Sequence, residues 1–367
     1  MIIFVTYPSK KYSVKILKYL LFIILLIGIG GAVYFGVKDG VFDISSTKEM
    51  DVPLEMLYTT VNEYKTWKEW GPWKEYDQNI KFKYPENTIG EGASYSWASE
   101  HRKVGDGSML TIDVEPNKTI NQVITFNTPI GDSKSDMYWI FDPVEGSTKT
   151  NVTWGMKGES SLMEKVLISL SGEPFEENMK SMFENGLENL EKNVQAEMKK
   201  YTITVNGIKQ HGGGYYLYTT TVSKISEISE KMAPMMGQVA GYLQENNITM
   251  TGMPFTIYNQ IDEANGTVIF SACISVNERI ITPKGSLVYC GYMEPSRSLK
   301  TTLSGNYINL SESYNKAMEY MTDNNMKPHP AIKMFEVYST DPGEVPNPAN
   351  WITEIYIPLD TSSINED

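Results

Sequence analysis

Tyr242-Leu243-Gln244-Glu245-Asn246-Asn247-Ile248 returns 78 residues later as Tyr320-Met321-Thr322-Asp323-Asn324-Asn325-Met326, and this repetition organises the second half of the 367-residue chain. Each copy closes a helical stripe. The first runs Ile225, Ile228, Met232, Val239, Leu243; the second runs Leu310, Tyr314, Ala317, Met321. Both follow the spacing of a single helix face. A strand with Phe-x-x-Tyr comes next in each case, at 255–258 and 335–338, and then another strand, at 268–276 or 351–359. Two strand–helix–strand–strand units of about 75 residues are therefore expected to form one domain with approximate twofold symmetry.

Upstream of the repeat the pattern changes. Pro53 opens a helix with Leu54, Leu57, Tyr58 and Val61 on one side, ending near Trp67 before the Gly71-Pro72 break. Strand-like runs follow at 94–99, 109–115, 119–127, 136–141 and 150–156, separated by turn residues such as Gly105-Asp106-Gly107 and Pro116-Asn117. Short turns between consecutive strands imply an antiparallel meander. Beyond Gly172 and Pro174, a long helix carries Phe175, Met179, Met182, Phe183, Leu187, Leu190, Val194 and Met198 as an apolar stripe. A sheet with such a helix on one face is an α+β layer pair, and a curved sheet would leave an apolar cavity beneath the helix.

The first 37 residues contain Lys10, Lys11, Lys15 and Lys18 and no acid, so the rest holds 28 basic against 45 acidic residues. Residues 19–37 carry no charge, and Ile16 and Leu17 extend that stretch backwards. About 20 apolar residues span the bilayer as a helix. We expect a basic cytoplasmic tail over 1–15 and an uncleaved transmembrane helix over 16–38. The lysines precede the span, which places the remaining domains outside the cytoplasm. Residues 39–48 read as a short polar connector. A net charge of −13 argues against nucleic acid as a partner. The segment 361–367 reads as a disordered tail.

The ordered set Trp67-x-x-Trp70-Gly-Pro-Trp73, Gly90-x-Gly92-x-x-Tyr95-x-Trp97 and Thr150-x-Val152-x-Trp154 resembles the polyketide cyclase/START-like superfamily, also called SRPBCC. The resemblance covers residues 45–199 and implies a helix-grip fold, with the C-terminal helix closing a hydrophobic tunnel. The tryptophans Trp67, Trp70, Trp73, Trp97, Trp139 and Trp154 either line that space or fill it; filling is the expectation for most.

Residues 200–360 resemble the GyrI-like, AraC-type effector-binding domain of gyrase-inhibitory proteins and multidrug-sensing regulators. The resemblance rests on Phe335-Glu336-x-Tyr338, a Pro-rich loop at 341–350, and Asn350-Trp351-Ile-Thr353-Glu354-Ile-Tyr356-Ile-Pro358-Leu. It implies a groove between the repeats that takes hydrophobic, often cationic, small molecules, with the acid of the T-E-I-Y-I-P strand, here Glu354, at its centre. The helix-turn-helix domain of the regulators has no counterpart in this chain. The expected class is thus α+β: a transmembrane helix, a helix-grip sheet with a long C-terminal helix, and a duplicated strand–helix–strand–strand domain.

Glu354 is the first candidate on physical grounds as well. A carboxylate among aromatic side chains is poorly hydrated and needs a cation or donor. A cationic aromatic ligand meets that need, with ring faces adding about 0.5–2 kcal/mol. Glu336 is the second candidate acid, and Phe335, Tyr338, Trp351, Tyr307, Tyr258 and Tyr289 are the candidate groove aromatics. Two rival readings stay open. One is a hydrolase of small reactive electrophiles, with Glu354 as general base and Tyr338 or Tyr307 as donor. The other is an envelope interaction module.

Other chemistry is not signalled. His211-Gly212-Gly213-Gly214 lacks the G-x-S-x-G elbow that an esterase oxyanion loop accompanies. The three histidines are scattered and no H-E-x-x-H, C-x-x-C, Walker or G-x-G-x-x-G pattern occurs, so neither metal nor cofactor is expected. Cys273 and Cys290 are symmetric about the Pro283-Lys284-Gly285 turn and would face each other if their strands formed a direct hairpin.

Overall fold

The computed structural model describes residues 11–128, 131–172 and 174–360. The expected basic tail up to Lys10 and the expected tail at 361–367 lie outside the described residues. Two compact units form, Met1–Val194 and Gln195–Asp367.

The first unit begins with α1 (Lys11–Val37), followed by β1 (Val41–Met50), α2 (Leu54–Asn62), α3 (Trp67–Trp70) and α4 (Trp73–Tyr76). Then come β2 (Lys81–Lys83), β3 (Ser94–Ala98), β4 (Asp106–Glu115), β5 (Thr119–Thr128), β6 (Gly131–Pro143) and β7 (Thr150–Glu159). Two helices close the unit, α5 (Leu162–Ser171) and α6 (Phe175–Met198). Within α1, Lys15–Val37 is long and apolar enough to cross a membrane.

The sheet is antiparallel in the order β1-β7-β6-β5-β4-β3-β2. Its first strand corrects the sequence reading, because 39–48 is not a connector. β1 pairs with β7 along its whole length, from Val41 opposite Glu159 to Met50 opposite Thr150. Only Ile44 and Met50 of this strand are buried. Polar cross-strand contacts do the rest: Thr47 meets Thr153 at 2.8 Å, and the Tyr138 hydroxyl donates to Asp43 at 2.7 Å. A strand held this way leaves no hydrophobic period to find.

α6 lays Met182, Phe183, Leu187, Leu190 and Val194 onto the sheet. The six tryptophans Trp67, Trp70, Trp73, Trp97, Trp139 and Trp154 are all buried, none more than 3% exposed. Trp139 stacks on Trp154 at 4.5 Å, Trp67 meets Trp70 at 4.7 Å, and Phe183 of α6 reaches Trp154 at 4.9 Å. The space under the long helix is therefore occupied by the protein's own rings.

The second unit contains β8 (Thr202–His211), β9 (Gly214–Lys224), α7 (Ile228–Glu245), β10 (Phe255–Asp262), β11 (Thr267–Val276), β12 (Tyr289–Met293), β13 (Ser296–Ser304), α8 (Leu310–Asp323), β14 (Phe335–Tyr338) and β15 (Ile352–Pro358). Its eight strands run β12-β9-β11-β10-β14-β15-β13-β8. The two repeats are β9-α7-β10-β11 and β13-α8-β14-β15, meeting at β10 and β14. β8 leads into the first repeat yet pairs with the second, and β12 does the reverse.

The duplicated Tyr-x-x-x-Asn-Asn proves to be a helix terminator. Tyr242 O accepts from the Asn246 backbone at 3.2 Å and from its side chain at 2.8 Å; Tyr320 O does the same for Asn324 at 3.1 and 2.8 Å. The next residues, Asn247 and Asn325, both sit at φ 53°, a left-handed turn that asparagine tolerates. Ile248 N then bonds back to Leu243 O and Met326 N to Met321 O.

Candidate functional site

Strand alternation sorts the second unit's side chains onto two faces. Glu336 stands opposite Thr256 on β10 and Ile355 on β15, and Ile355 stands opposite Thr301 on β13. This row faces the helices, since Ile355 packs with Ala317 and Met321 of α8 and Thr256 donates to Met232 of α7 at 3.2 Å.

On that face Glu336 is 1% exposed. The Tyr314 hydroxyl of α8 donates to its Oε1 at 2.8 Å and the Tyr338 hydroxyl to its Oε2 at 2.9 Å. Tyr258 faces the same carboxylate, its ring 6.4 Å from that of Tyr314. Tyr307 meets Tyr338 at 5.7 Å and Trp351 at 5.0 Å, while Trp351 Nε1 donates to Val345 O at 2.7 Å and holds the Pro-rich loop in place. All five rings are half-buried and cluster on the helix side of the sheet, over the buried Glu336.

No cation pairs with this carboxylate among the described residues. Burial pushes the Glu336 carboxyl up, against hydrogen bonds from Tyr314, Tyr338 and Tyr258 that pull it down. Burial also raises the Tyr307 hydroxyl to about 12, with the Glu336 charge adding to it. On the same face of the sheet, Thr301 and Thr353 are fully buried, and their hydroxyls have no hydrogen-bond partner.

Residues 215–360 match the family described as the GyrI-like small molecule binding domain. The C-terminal unit carries a GyrI-like domain. Among solved structures, the chain is similar to the EcmrR C-terminal domain at 18% identity and TM-score 0.38, over 44% of this chain and 98% of that one. The Aha1 dimer from Colwellia psychrerythraea matches at 14% identity and TM-score 0.30, over 41% and 94%. Protein MLL2253 from Mesorhizobium loti matches at 16% identity and TM-score 0.31, over 42% and 98%. No curated protein matches the chain.

The GyrI-like domain separates the eight candidate residues. Glu336, Tyr258, Tyr307, Tyr338 and Trp351 come together in the helix-side cluster. Glu354, Phe335 and Tyr289 do not. Glu354 stands opposite Val337, one step out of phase with Glu336, and so points to the other face. There Lys300 Nζ pairs with it at 2.8 Å and the Tyr356 hydroxyl donates to it at 2.8 Å. Glu354 is thus an internal ion-pair partner, and it cannot work together with Tyr338 as base and donor. Phe335 stacks on Tyr356 at 4.9 Å in the packed layer of that second face, and Tyr289 sits half-exposed on the edge strand beside Tyr218.

Tyr314 is the residue of this cluster that sequence reading identified only as a member of a helical stripe. Its position in the α8 stripe gave the signal of an inward-facing ring, but the carboxylate it meets is 22 residues away. His211-Gly212-Gly213-Gly214 is a turn: Gly213 has φ 67°, and a Cβ there would lie 2.2 Å from Met293 O. The cysteines are free. β9 runs between their strands, with Cys273 opposite Tyr218 and Cys290 opposite Leu217. Two strand spacings, about 9.6 Å, exceed the reach of a disulfide.

Proposed function

We propose that the chain is a single-pass, membrane-anchored protein whose GyrI-like domain binds lipophilic, cationic aromatic small molecules, as a sensor, scavenger or carrier. The observation that carries this reading is Glu336, a fully buried acid without a cation partner among the described residues, fenced by five half-buried rings. An ionised carboxylate in such a place is costly when unpaired. A flat organic cation removes that cost and stacks on the rings at the same time. The unpartnered Thr301 and Thr353 hydroxyls add hydrogen-bonding capacity on the same face.

Support for the anchor comes from the exposed apolar helix Lys15–Val37 and the lysines at and before its N-terminal end. By the positive-inside bias both units face away from the cytoplasm. For the first unit, which we take as SRPBCC-like, the packed tryptophans favour a second reading: a docking or structural module with no ligand of its own.

The test is titration of the full-length protein in detergent with tetraphenylphosphonium. Glu336→Gln is expected to weaken binding about tenfold or more, as loss of one buried charge partner implies, and Glu354→Gln to leave it unchanged. Equal affinity for wild type and Glu336→Gln sinks the assignment.

A further inference from the structure

α5 is built inside out for a helix on a water-facing surface. None of its residues is buried. Met163, Leu167 and Leu170, at i, i+4 and i+7, form one stripe and are 53%, 46% and 77% exposed, with Leu162 beside them at 45%. The charged side chains are instead turned to the protein. Glu164 closes a capping box with Ser161, and Lys165 Nζ donates to Lys38 O at 2.6 Å. A soluble surface helix shows the opposite arrangement.

The position of α5 names its partner. It packs against α1. Gly31 and Phe35, one turn apart near the end of α1, have reduced exposure, whereas the residues around them are exposed. Ser160 N bonds to Gly40 O at 2.9 Å, so α5 starts where the chain leaves α1. A Cβ at Gly40 would lie 2.3 Å from Lys165 Cε, which shows how closely the junction is closed. Exposed Tyr34 lies near the end of α1, and tyrosine is a residue type enriched at the depth of the lipid headgroups.

We infer that α5 is a second membrane contact: an interfacial helix whose Met163–Leu167–Leu170 stripe enters the acyl–headgroup boundary of the leaflet from which α1 emerges. At about 1.5 Å per residue it is about 15 Å long, and such helices bury their apolar face about 5–10 Å deep. The inference rests on the reading of α1 as a membrane span. It goes beyond it in making the first unit a body held on the bilayer at two points.

The experiment uses the full chain in phosphatidylcholine–phosphatidylglycerol vesicles, in a Cys290→Ala background with the buried Cys273 retained. Nitroxides are placed singly by Leu167→Cys, Leu170→Cys, Ser169→Cys and, within α1, Leu25→Cys. Collision with oxygen is compared with collision with a water-soluble nickel chelate. Labels at 167 and 170 are expected to favour oxygen several-fold over the label at 169, approaching the label at 25. A lipid-like signal at 25 with water-like signals at 167 and 170 overturns the inference and leaves the anchor standing. A water-like signal at 25 overturns both. Labels at 167 and 170 shielded from both reagents identify a protein partner on this face and also overturn it.

Discussion

Glu336 and Glu354 lie on neighbouring strands of one sheet, a single step out of register, and their carboxylates point to opposite faces. One meets tyrosines and, among the described residues, no cation; the other meets Lys300 at 2.8 Å. Equal in chemistry, they differ in role because of the pleat.

The first prediction concerns pH. Burial holds the Glu336 carboxyl above the ordinary value of about 4.3. A group raised in the folded state stabilises below its unfolded pKa, and that stability is lost as pH rises through the folded pKa. We expect the ligand-free protein to lose thermal stability as pH rises through that window, and Glu336→Gln to flatten the slope. Tetraphenylphosphonium affinity should rise over the same window. A melting series and a binding series across pH check both.

Gly186→Ala is predicted to destabilise the first unit. Inside a helix this change normally gains about 1 kcal/mol. Here the new Cβ would lie 2.4 Å from Cζ3 of Trp154, a ring already stacked on Trp139. Overpacking of this kind costs about 1–3 kcal/mol and outweighs the propensity gain. Denaturant unfolding followed by tryptophan fluorescence decides the sign.

Asn247 and Asn325 form a pair of equivalent tests. At φ 53°, replacement by alanine is expected to cost about 1 kcal/mol at each site, and replacement by glycine to be close to neutral. Similar shifts in urea midpoint at the two positions would register the symmetry of the repeat.

For the cysteines, intact mass without reductant is expected to equal that of the dithiol. Native-state alkylation should modify half-exposed Cys290 first. Burial pushes the Cys273 thiol up and closes access to it, so it should react only after unfolding.

Much of the architecture was legible along the chain. The doubled Tyr-x-x-x-Asn-Asn announced two equivalent helix ends, and the element order around it announced the duplication. The long apolar helix Lys15–Val37 was visible because its uninterrupted apolar length stands out along the chain. β1 was not legible, because only Ile44 and Met50 of it are buried and its partner strand β7 lies about a hundred positions away along the chain. Whether Cys273 and Cys290 face each other hung on a direct hairpin, and β9 lies between their strands.

By itself the sequence determined the repeats, the helix terminators, the apolar helix and the supply of rings and acids, since each depends on neighbours within a few turns of chain. Tertiary structure alone decided which acid sits beneath the helices, which rings surround it, and that tryptophans occupy the space under α6. Those outcomes depend on sheet order and on which face the helices cover, and strand periodicity is the same whichever face that is.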